Sequence, residues 1–303
     1  MRRILLTGLN GQVGQELQRT LAPLGEVIGV GRETMDLAQA TSIRQAISEA
    51  RPDVIVNAAA YTAVDKAETE TELAHSINGI APQIMAEEAQ RLGAALFHIS
   101  TDYVFDGRKN TPYLEDDAPN PIGAYGKSKL VGEEGIRKTC DRYIILRTAW
   151  VYGTYGKSNF VKTMLRLFAE RDEVRVVADQ VGTPTWASDI ASAIASLVPQ
   201  LCPEQPQASP LTGIYNFTNS GMSSWYDFAI AIFEEAKQLG FPLKVQRIVP
   251  ITTSEYPTPA QRPAYSVLSG KKVSAALGTH PPYWRDGLRQ MLGELYSYTK
   301  EHS

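Results

Sequence analysis

Short apolar segments alternate with helical segments through the first half of this chain, and that alternation restricts its fold more than any other feature. Five segments are predicted to be strands: 4–7, 26–30, 53–57, 96–100 and 143–147. Four segments have the residue spacing of amphipathic helices: 14–24, 42–50, 81–92 and 128–138. Strands that alternate with helices are typical of a parallel sheet covered by helices on both faces. We therefore predict an α/β fold built on a doubly wound, Rossmann-type parallel sheet.

The pattern becomes less regular after residue 150, which indicates a second unit. Three segments there have helical spacing: 159–170, 188–197 and 225–239. Apolar segments near 174–178 and 213–218 are predicted to be late strands that return to the first sheet. We predict a dinucleotide-binding domain over 1–150 and a smaller, mainly substrate-binding domain over 151–303. The proline- and glutamine-rich segment 199–210 is predicted to be an exposed loop.

The composition of the 303 residues is that of a globular protein, with 43% apolar and 21% charged residues. The net charge of -3 gives no basic surface for nucleic acid. No segment approaches the roughly 20 continuous apolar residues of a membrane span, and no signal-peptide core follows the N-terminus. The chain is therefore predicted to be cytoplasmic, without nucleic-acid or membrane partners. Cys140 and Cys202 belong to no cluster, so neither a disulfide framework nor a zinc site is predicted.

A glycine-rich segment, Gly8-x-x-Gly11-x-x-Gly14, directly follows the first strand and opens the first helix. A dinucleotide-binding fingerprint requires this context, because glycine lets the backbone turn tightly and approach a pyrophosphate at a helix N-terminus. The alternative is a strand-to-helix turn that needs glycine only for packing. The candidate cofactor-binding residues of this loop are Gly8, Asn10, Gly11, Gln12, Val13 and Gly14.

The end of the second strand indicates which dinucleotide is bound. An NAD-binding protein usually has a carboxylate there for the ribose hydroxyls, whereas this chain has Gly31-Arg32. A guanidinium binds phosphate in a fork and suits the 2′-phosphate of NADP, so NADPH is predicted, with NADH as the alternative cofactor. Further candidate cofactor contacts are Asp36 and Leu37 near the adenine, and Ala58, Ala59 and Ala60 along the cofactor backbone.

A tyrosine and a lysine four residues apart, Tyr125 and Lys129, are candidate catalytic residues. On a helix they share a face, so the ammonium can lie beside the phenol and lower its pKa from about 10. The same spacing recurs at Tyr296 and Lys300, so spacing alone does not identify a site. Only the first pair follows a strand that ends near Thr101, and open α/β sheets bind ligands at the carboxyl ends of their strands.

Three longer motifs narrow the function. They are Val64-Asp65-Lys66-Ala67-Glu68, Asp102-Tyr103-Val104-Phe105-Asp106-Gly107 and Pro257-Thr258-Pro259-Ala260-Gln261-Arg262-Pro263. With the glycine loop and the Tyr-x-x-x-Lys pair, they resemble the dTDP-4-dehydrorhamnose reductase family, a branch of the extended short-chain dehydrogenase/reductase superfamily. The resemblance extends over nearly the whole chain. It implies NADPH-dependent reduction of the 4-keto group of dTDP-4-dehydro-L-rhamnose, a dTDP-4-keto-6-deoxy sugar, to dTDP-L-rhamnose.

The resemblance also implies catalytic roles. Tyr125 would donate a proton to the ketone oxygen, and Lys129 would lower the phenol pKa and bind the nicotinamide ribose. Thr101 would hydrogen-bond the substrate oxygen, with a turn cap as its structural alternative. His98 lies inside an apolar strand and is predicted to be a satisfied core residue rather than a catalyst.

Substrate binding falls, by the same resemblance, to Val64, Asp102, Tyr103 and Trp150. The diphosphate of such a substrate is negatively charged, and a planar basic side chain can donate hydrogen bonds to it; Arg262 is our candidate. The structural alternatives are a surface ion pair for Arg262 and a core position for Trp150.

Two other functions remain open. One is the reduction of another 4-keto nucleotide sugar. The other is a non-catalytic regulatory subunit, since the regulatory subunit of methionine adenosyltransferase resembles the same family; retention of Thr101, Tyr125 and Lys129 argues against it. An epimerase or dehydratase is disfavoured by the segment 257–263.

The sequence also bears on metal and assembly. Some members of the family form dimers bridged by Mg²⁺ through carboxylates, and Glu16 matches one of those positions. Ser188 stands where another carboxylate would be, with Asp189 only adjacent. We therefore predict no catalytic metal, disfavour a bridging Mg²⁺ and leave monomer and homodimer open.

Overall fold

The computed structural model describes residues 1–202 and 211–301, so most of the predicted loop at 199–210 lies outside the described residues. The strands are β1 Arg3–Thr7, β2 Glu26–Val30, β3 Val54–Asn57, β4 Ala95–Thr101, β5 Tyr143–Thr148, β6 Val151–Tyr152, β7 Glu173–Val177, β8 Val181–Gly182, β9 Thr185–Trp186, β10 Gly213–Asn216, β11 Ser223–Ser224 and β12 Arg247–Ile251. The α-helices are α1 Gln12–Leu21, α2 Ala40–Ala50, α3 Val64–Ala67, α4 Thr71–His75, α5 Ala81–Leu92, α6 Ala124–Thr139, α7 Phe160–Glu170, α8 Ala187–Leu201, α9 Trp225–Leu239, α10 Lys271–Leu277 and α11 Trp284–Glu301.

Six strands of the described chain form one parallel sheet in the order β2–β1–β3–β4–β5–β10. The chain winds outward from β1 in one direction to β2 and in the other direction from β3 onward. The carboxyl ends of β1 and β3 therefore border the switch point where doubly wound sheets bind ligands. The predicted doubly wound parallel sheet is confirmed.

Helices cover both faces of this sheet. Along β1, Ile4 and Leu6 face a core shared with α1 and α8, whereas Leu5 faces a core shared with α2 and α5. Successive strand side chains point to opposite faces, so a strand buried on both sides must be apolar throughout. This is why the first strands appear in the sequence as continuous apolar segments.

One of the two late strands joins a different sheet from the one predicted. β10 pairs with β5 in the large sheet, but β7 pairs with β12 in a separate two-stranded sheet. The predicted return of 174–178 to the first sheet is therefore wrong. Val174 and Val176 pack instead in a third core with Phe168 and Phe228. Alternating apolar residues predict a strand but not the strand with which it pairs.

Helix α8 continues through Pro199 to Leu201, so the predicted loop does not begin at residue 199. An interior proline removes one helical hydrogen bond and costs about 3 kcal/mol. Here it lies in the last turn, where Leu197, Val198 and Leu201 are fully buried in the core shared with α1. Burial of this apolar face offsets the missing bond. None of the helices in the described ranges is long and apolar enough to cross a membrane.

Candidate active site

A cleft of about 730 Å³ lies at the carboxyl ends of β1, β3, β4 and β5. Residues predicted from six separate parts of the sequence line it together. They are Gly8, Asn10, Gly11, Gln12, Val13, Arg32, Asp36, Leu37, Ala58, Ala59, Ala60, Thr101, Asp102, Tyr103, Tyr125, Lys129 and Trp150. The sheet edge thus brings the predicted cofactor and catalytic residues to one place.

Two glycines of the loop, Gly8 and Gly14, have no room for a side chain. Gly8 has φ +73°, and a Cβ there would lie 2.8 Å from the Ala58 carbonyl carbon. Gly14 does not line the cleft: its Cβ would lie 2.0 Å from the Gly8 carbonyl oxygen, so its hydrogen lets α1 pack against the loop. Gly11 immediately precedes α1, whose free N–H groups therefore face the loop.

One segment that lines the cleft was not predicted from the sequence. Gly156, Lys157 and Ser158 line it, next to Gln12 of the glycine loop. The Gln12 amide nitrogen donates to the Val151 carbonyl at 3.1 Å, and Asn159 donates to the Gln12 amide oxygen at 3.2 Å. This irregular segment has no strand or helix periodicity, and the only available signal was its Gly-Lys-Ser composition.

Tyr125 lies in the first turn of α6, which packs closely against the end of β4. A Cβ at Gly126 would lie 2.1 Å from the Tyr103 carbonyl oxygen, so glycine permits this approach. The rings of Tyr103 and Tyr125 meet edge to face with centroids 5.5 Å apart. This close approach of α6 to the end of β4 places the Tyr125 phenol beside Thr101.

Thr101 lines the cleft and also caps a short turn, which is the structural alternative named for it; its contact with the substrate oxygen stays a prediction. Its hydroxyl donates to Asp102 Oδ1 at 3.0 Å and accepts the Tyr103 N–H at 3.2 Å. Asp102 is 2% exposed. Burial raises the pKa of Asp102 to about 6, against the lowering effect of neighbouring hydroxyl groups.

The pKa of the Tyr125 phenol is raised, whereas the pKa of the Lys129 amino group is lowered. Burial raises the pKa of Tyr125 to about 12, while hydrogen bonding to Thr101 lowers it and the Asp102 carboxylate raises it. Burial lowers the pKa of Lys129 to about 8, while the Glu133 carboxylate raises it. The Lys129 amino group contacts His98 and the Ile99 carbonyl instead of holding the phenol below its usual pKa. That sequence expectation is therefore wrong for this arrangement, because burial dominates.

Val64 and Arg262 lie outside the lining of the cleft but close to each other. Val64 begins α3, and the next residue, Asp65, accepts from Arg262 Nη2 at 2.9 Å. Arg262 Nη1 is buried without a hydrogen-bond partner among the described residues. The ion pair that was the structural alternative for Arg262 is therefore present, and it uses Nη2 but not Nη1.

Trp150 is held in an unusual conformation at the other side of the cleft. Its φ is +48°, a left-handed value that is rare outside glycine. Its ring stacks on Trp225 with centroids 3.5 Å apart, and a Cβ at Gly182 would lie 2.4 Å from the indole. Packing against the third core therefore fixes an aromatic wall of the cleft.

Known proteins match this chain over nearly its whole length. The family model described as the RmlD substrate binding domain matches residues 1–297. The chain belongs to this family. It is 45% identical to the dTDP-4-dehydrorhamnose reductase of Burkholderia thailandensis, covering 97% of this chain and 99% of the relative. It is 42% identical to the Escherichia coli protein of the same name, covering 98% and 99%.

A solved structure agrees with the RmlD assignment. The dTDP-4-dehydrorhamnose reductase of Bacillus anthracis, in complex with NADP, superposes with a TM-score of 0.88 at 39% identity, covering 97% of this chain and 99% of that one. The family resemblance inferred from the motifs is confirmed. The roles of individual residues stay predictions.

The position that suggested a bridging metal in RmlD proteins has a local partner here. Glu16 is 3% exposed, and Arg19 donates to its carboxylate at 3.1 Å. Arg19 also lies 3.4 Å from the Ser188 hydroxyl. Within 1–202 and 211–301, no group of three or more His, Cys, Asp or Glu side chains is placed to hold a metal ion.

Proposed function

We propose that this protein is an NADPH-dependent reductase that converts dTDP-4-dehydro-L-rhamnose to dTDP-L-rhamnose. The observation that carries the proposal is the single cleft in which the glycine loop, Arg32 and the Thr101–Tyr125–Lys129 group meet. Relatives of similar length are named for this reaction. Reduction of another 4-keto nucleotide sugar is the nearest alternative.

The residues present fit a dinucleotide. The backbone of Gly8 packs against Ala58 with no space for a Cβ, and the free N–H groups at the start of α1 could bind an anion such as the pyrophosphate. Gly8, Asn10, Gly11, Gln12 and Val13 would hold the pyrophosphate, and Ala58, Ala59 and Ala60 would pass beside it. NADPH supplies a hydride when bound.

The reaction also requires a proton on the ketone oxygen. With its pKa near 12, the Tyr125 phenol stays protonated at neutral pH and can donate. Thr101 would orient the substrate oxygen beside the phenol, and Lys129 would bind the nicotinamide ribose. On the substrate side, Val64, Asp102, Tyr103 and Trp150 would surround the sugar, and Arg262 is the candidate donor to the diphosphate.

The domain division is part of the proposal. Residues 1–150 would bind the cofactor, and 151–303 would mainly bind the substrate while returning one strand, β10, to the large sheet. A separate core built from α7, α9 and α11 supports a second unit. A cytoplasmic location and the oligomeric state, monomer or homodimer, stay predictions.

The test supplies the dTDP-4-keto-6-deoxy sugar, generated in situ, and follows NADPH consumption. The proposal expects oxidation of NADPH that is stoichiometric with dTDP-L-rhamnose formed. A panel of other 4-keto nucleotide sugars is run beside it. Faster turnover of another sugar would replace the substrate assignment, and no turnover of any would favour a regulatory subunit.

Arg32 should decide the choice of cofactor. It is exposed at the rim of the cleft just after β2, where the 2′-phosphate would lie. In Arg32→Ala we expect the KM for NADPH to rise about tenfold, because a charge-assisted hydrogen bond is worth about 1.5 kcal/mol or more. The KM for NADH should change by less than about twofold. Equal loss with both cofactors would contradict this assignment.

Lys157, which the sequence did not single out, should also bind the cofactor. It lies in the segment packed on Gln12, opposite the start of α1. In Lys157→Met, which removes the charge and keeps an unbranched side chain of similar length, we expect about a fivefold higher KM for NADPH and little change in kcat. Lys127→Met on the exposed side of α6 is the matched control. A fall in kcat with unchanged KM would rule out this role.

A further inference from the structure

Four buried polar side chains form a continuous chain beneath the cleft. Thr7 donates its hydroxyl to Asn57 Oδ1 at 2.7 Å, and Asn57 Nδ2 lies 2.9 Å from His98 Nδ1. His98 Nε2 lies 3.1 Å from Lys129 Nζ. All four side chains are at most 2% exposed. The prediction that His98 is a buried, hydrogen-bonded residue is confirmed, but one of its partners is the lysine of the candidate active site.

The hydrogen-bonding capacity of these groups limits the charge of His98. Asn57 Oδ1 accepts from Thr7 and from the Ala59 N–H, so the amide nitrogen of Asn57 faces the imidazole. An imidazolium donates from both nitrogens and would meet a donor at Asn57 and an amino group at Lys129. Burial, followed by the Lys129 charge, lowers the pKa of His98 well below its usual value. His98 is therefore neutral.

A neutral imidazole can pair with Lys129 in either charge state. In the observed orientation of Asn57, His98 Nδ1 accepts and Nε2–H donates to a neutral Lys129 amine. If the Asn57 amide turns over, Thr7 Oγ1 can accept both from the amide nitrogen and from the Ala59 N–H, which lies 3.3 Å away. His98 Nδ1–H then donates to the amide oxygen, and Nε2 accepts from a Lys129 ammonium. In both arrangements the Ile99 carbonyl, 2.7 Å from Nζ, takes one lysine proton. One lysine N–H is left without a partner in the described part of the chain in each arrangement, and Lys129 is among the residues that line the cleft.

We propose that His98 is the positioning residue for Lys129. Its imidazole contacts Asn57 through Nδ1 and the lysine amino group through Nε2, and so holds that amino group beside the cleft in both charge states. The inference rests on the proposed function, because positioning matters only if Lys129 binds the cofactor. It makes His98 part of the functional site through its Nε2 atom, in addition to its place in the core.

Other ionisable groups surround Lys129 and must be held constant in any test. On α6 they are Tyr125 and Glu133, on β5 Arg147, which is paired with Glu133, and beyond the end of β4 Asp102. None of them hydrogen-bonds the lysine amino group among the described residues. A change confined to position 98 therefore isolates the imidazole contact.

Two substitutions separate the two ring nitrogens. His98→Gln can place an amide atom near the position of Nε2 and keep a partner for Lys129. His98→Asn places its amide near Nδ1, so it keeps the Asn57 contact and loses Lys129. We expect His98→Asn to weaken NADPH binding and lower kcat by about tenfold, and His98→Gln to change either by less than about threefold. The alkaline limb of the kcat/KM profile should move in His98→Asn.

NADPH binding is measured by cofactor fluorescence, independently of turnover, at temperatures where melting curves show both variants folded. Weaker binding and a shifted alkaline limb in His98→Asn, with His98→Gln near wild type, support the proposal. Equal losses in the two variants, the reverse order, or an unmoved alkaline limb overturn it. If wild type binds NADPH but reduces no 4-keto sugar, the proposed function fails, and the binding order of the variants still decides the role of His98.

Discussion

Replacing Tyr125 by Phe should lower kcat by about 10²- to 10⁴-fold, the usual contribution of a positioned general acid. The substitution keeps the ring and its edge-to-face contact with Tyr103, so the cleft should retain its shape. Only the phenol hydroxyl, and with it the transferable proton, is removed. The KM for NADPH should therefore stay within about threefold of wild type. The measurement is steady-state turnover of the dTDP-4-keto sugar, with cofactor binding measured in parallel.

The second Tyr-x-x-x-Lys pair provides the matched control. Tyr296 is on α11, outside the lining of the cleft, and Lys300 Nζ lies 4.4 Å from the centre of its ring. Tyr296→Phe should leave kcat within about twofold of wild type, because Tyr296 does not line the cleft and the substitution keeps its ring contact with Lys300. If Tyr125→Phe turned over as fast as Tyr296→Phe, the proton would have to come from another group.

The second large effect is on stability. Arg147 and Glu133, both 1% exposed, form a two-pronged ion pair with a shortest distance of 2.6 Å. Ser100 also donates to Glu133, and the Arg147 guanidinium lies 5.0 Å from the centre of the Phe105 ring. Glu133→Gln should lower the free energy of unfolding by about 3–5 kcal/mol, because it leaves the Arg147 charge buried without a counter-charge. Urea unfolding measures the change.

A double-mutant cycle tests the cause. Arg147→Met should be similarly destabilising, while the Glu133→Gln/Arg147→Met double variant should lose much less than the sum of the two. The exposed pair Arg166 and Glu170 on α7 is the control, and Glu170→Gln there should cost less than about 0.5 kcal/mol. Additive losses at the buried pair would show that the two charges stabilise the fold independently of each other.

Local signals in the sequence were enough to predict much of the cleft. Gly8, Arg32, Thr101 and Tyr125 each stand at the end of a strand or the start of a helix, and the carboxyl edge of a parallel sheet gathers such positions. The segment containing Lys157 had no periodicity, so nothing local indicated that it would pack on Gln12. Arg262 was chosen for its chemistry, but its pairing with Asp65 depends on a contact between distant parts of the chain.

The sequence by itself determined the doubly wound sheet, the site of the glycine loop and the family to which the chain belongs, because these depend on periodicity and short motifs. Tertiary structure decided the rest. It paired β7 with β12 and placed Lys129 beside His98. Burial raised the pKa of Tyr125, whereas the sequence predicted a lower value. Strand pairing, burial and buried hydrogen bonds depend on residues far apart in the chain, and their energies exist only once the chain has folded around them.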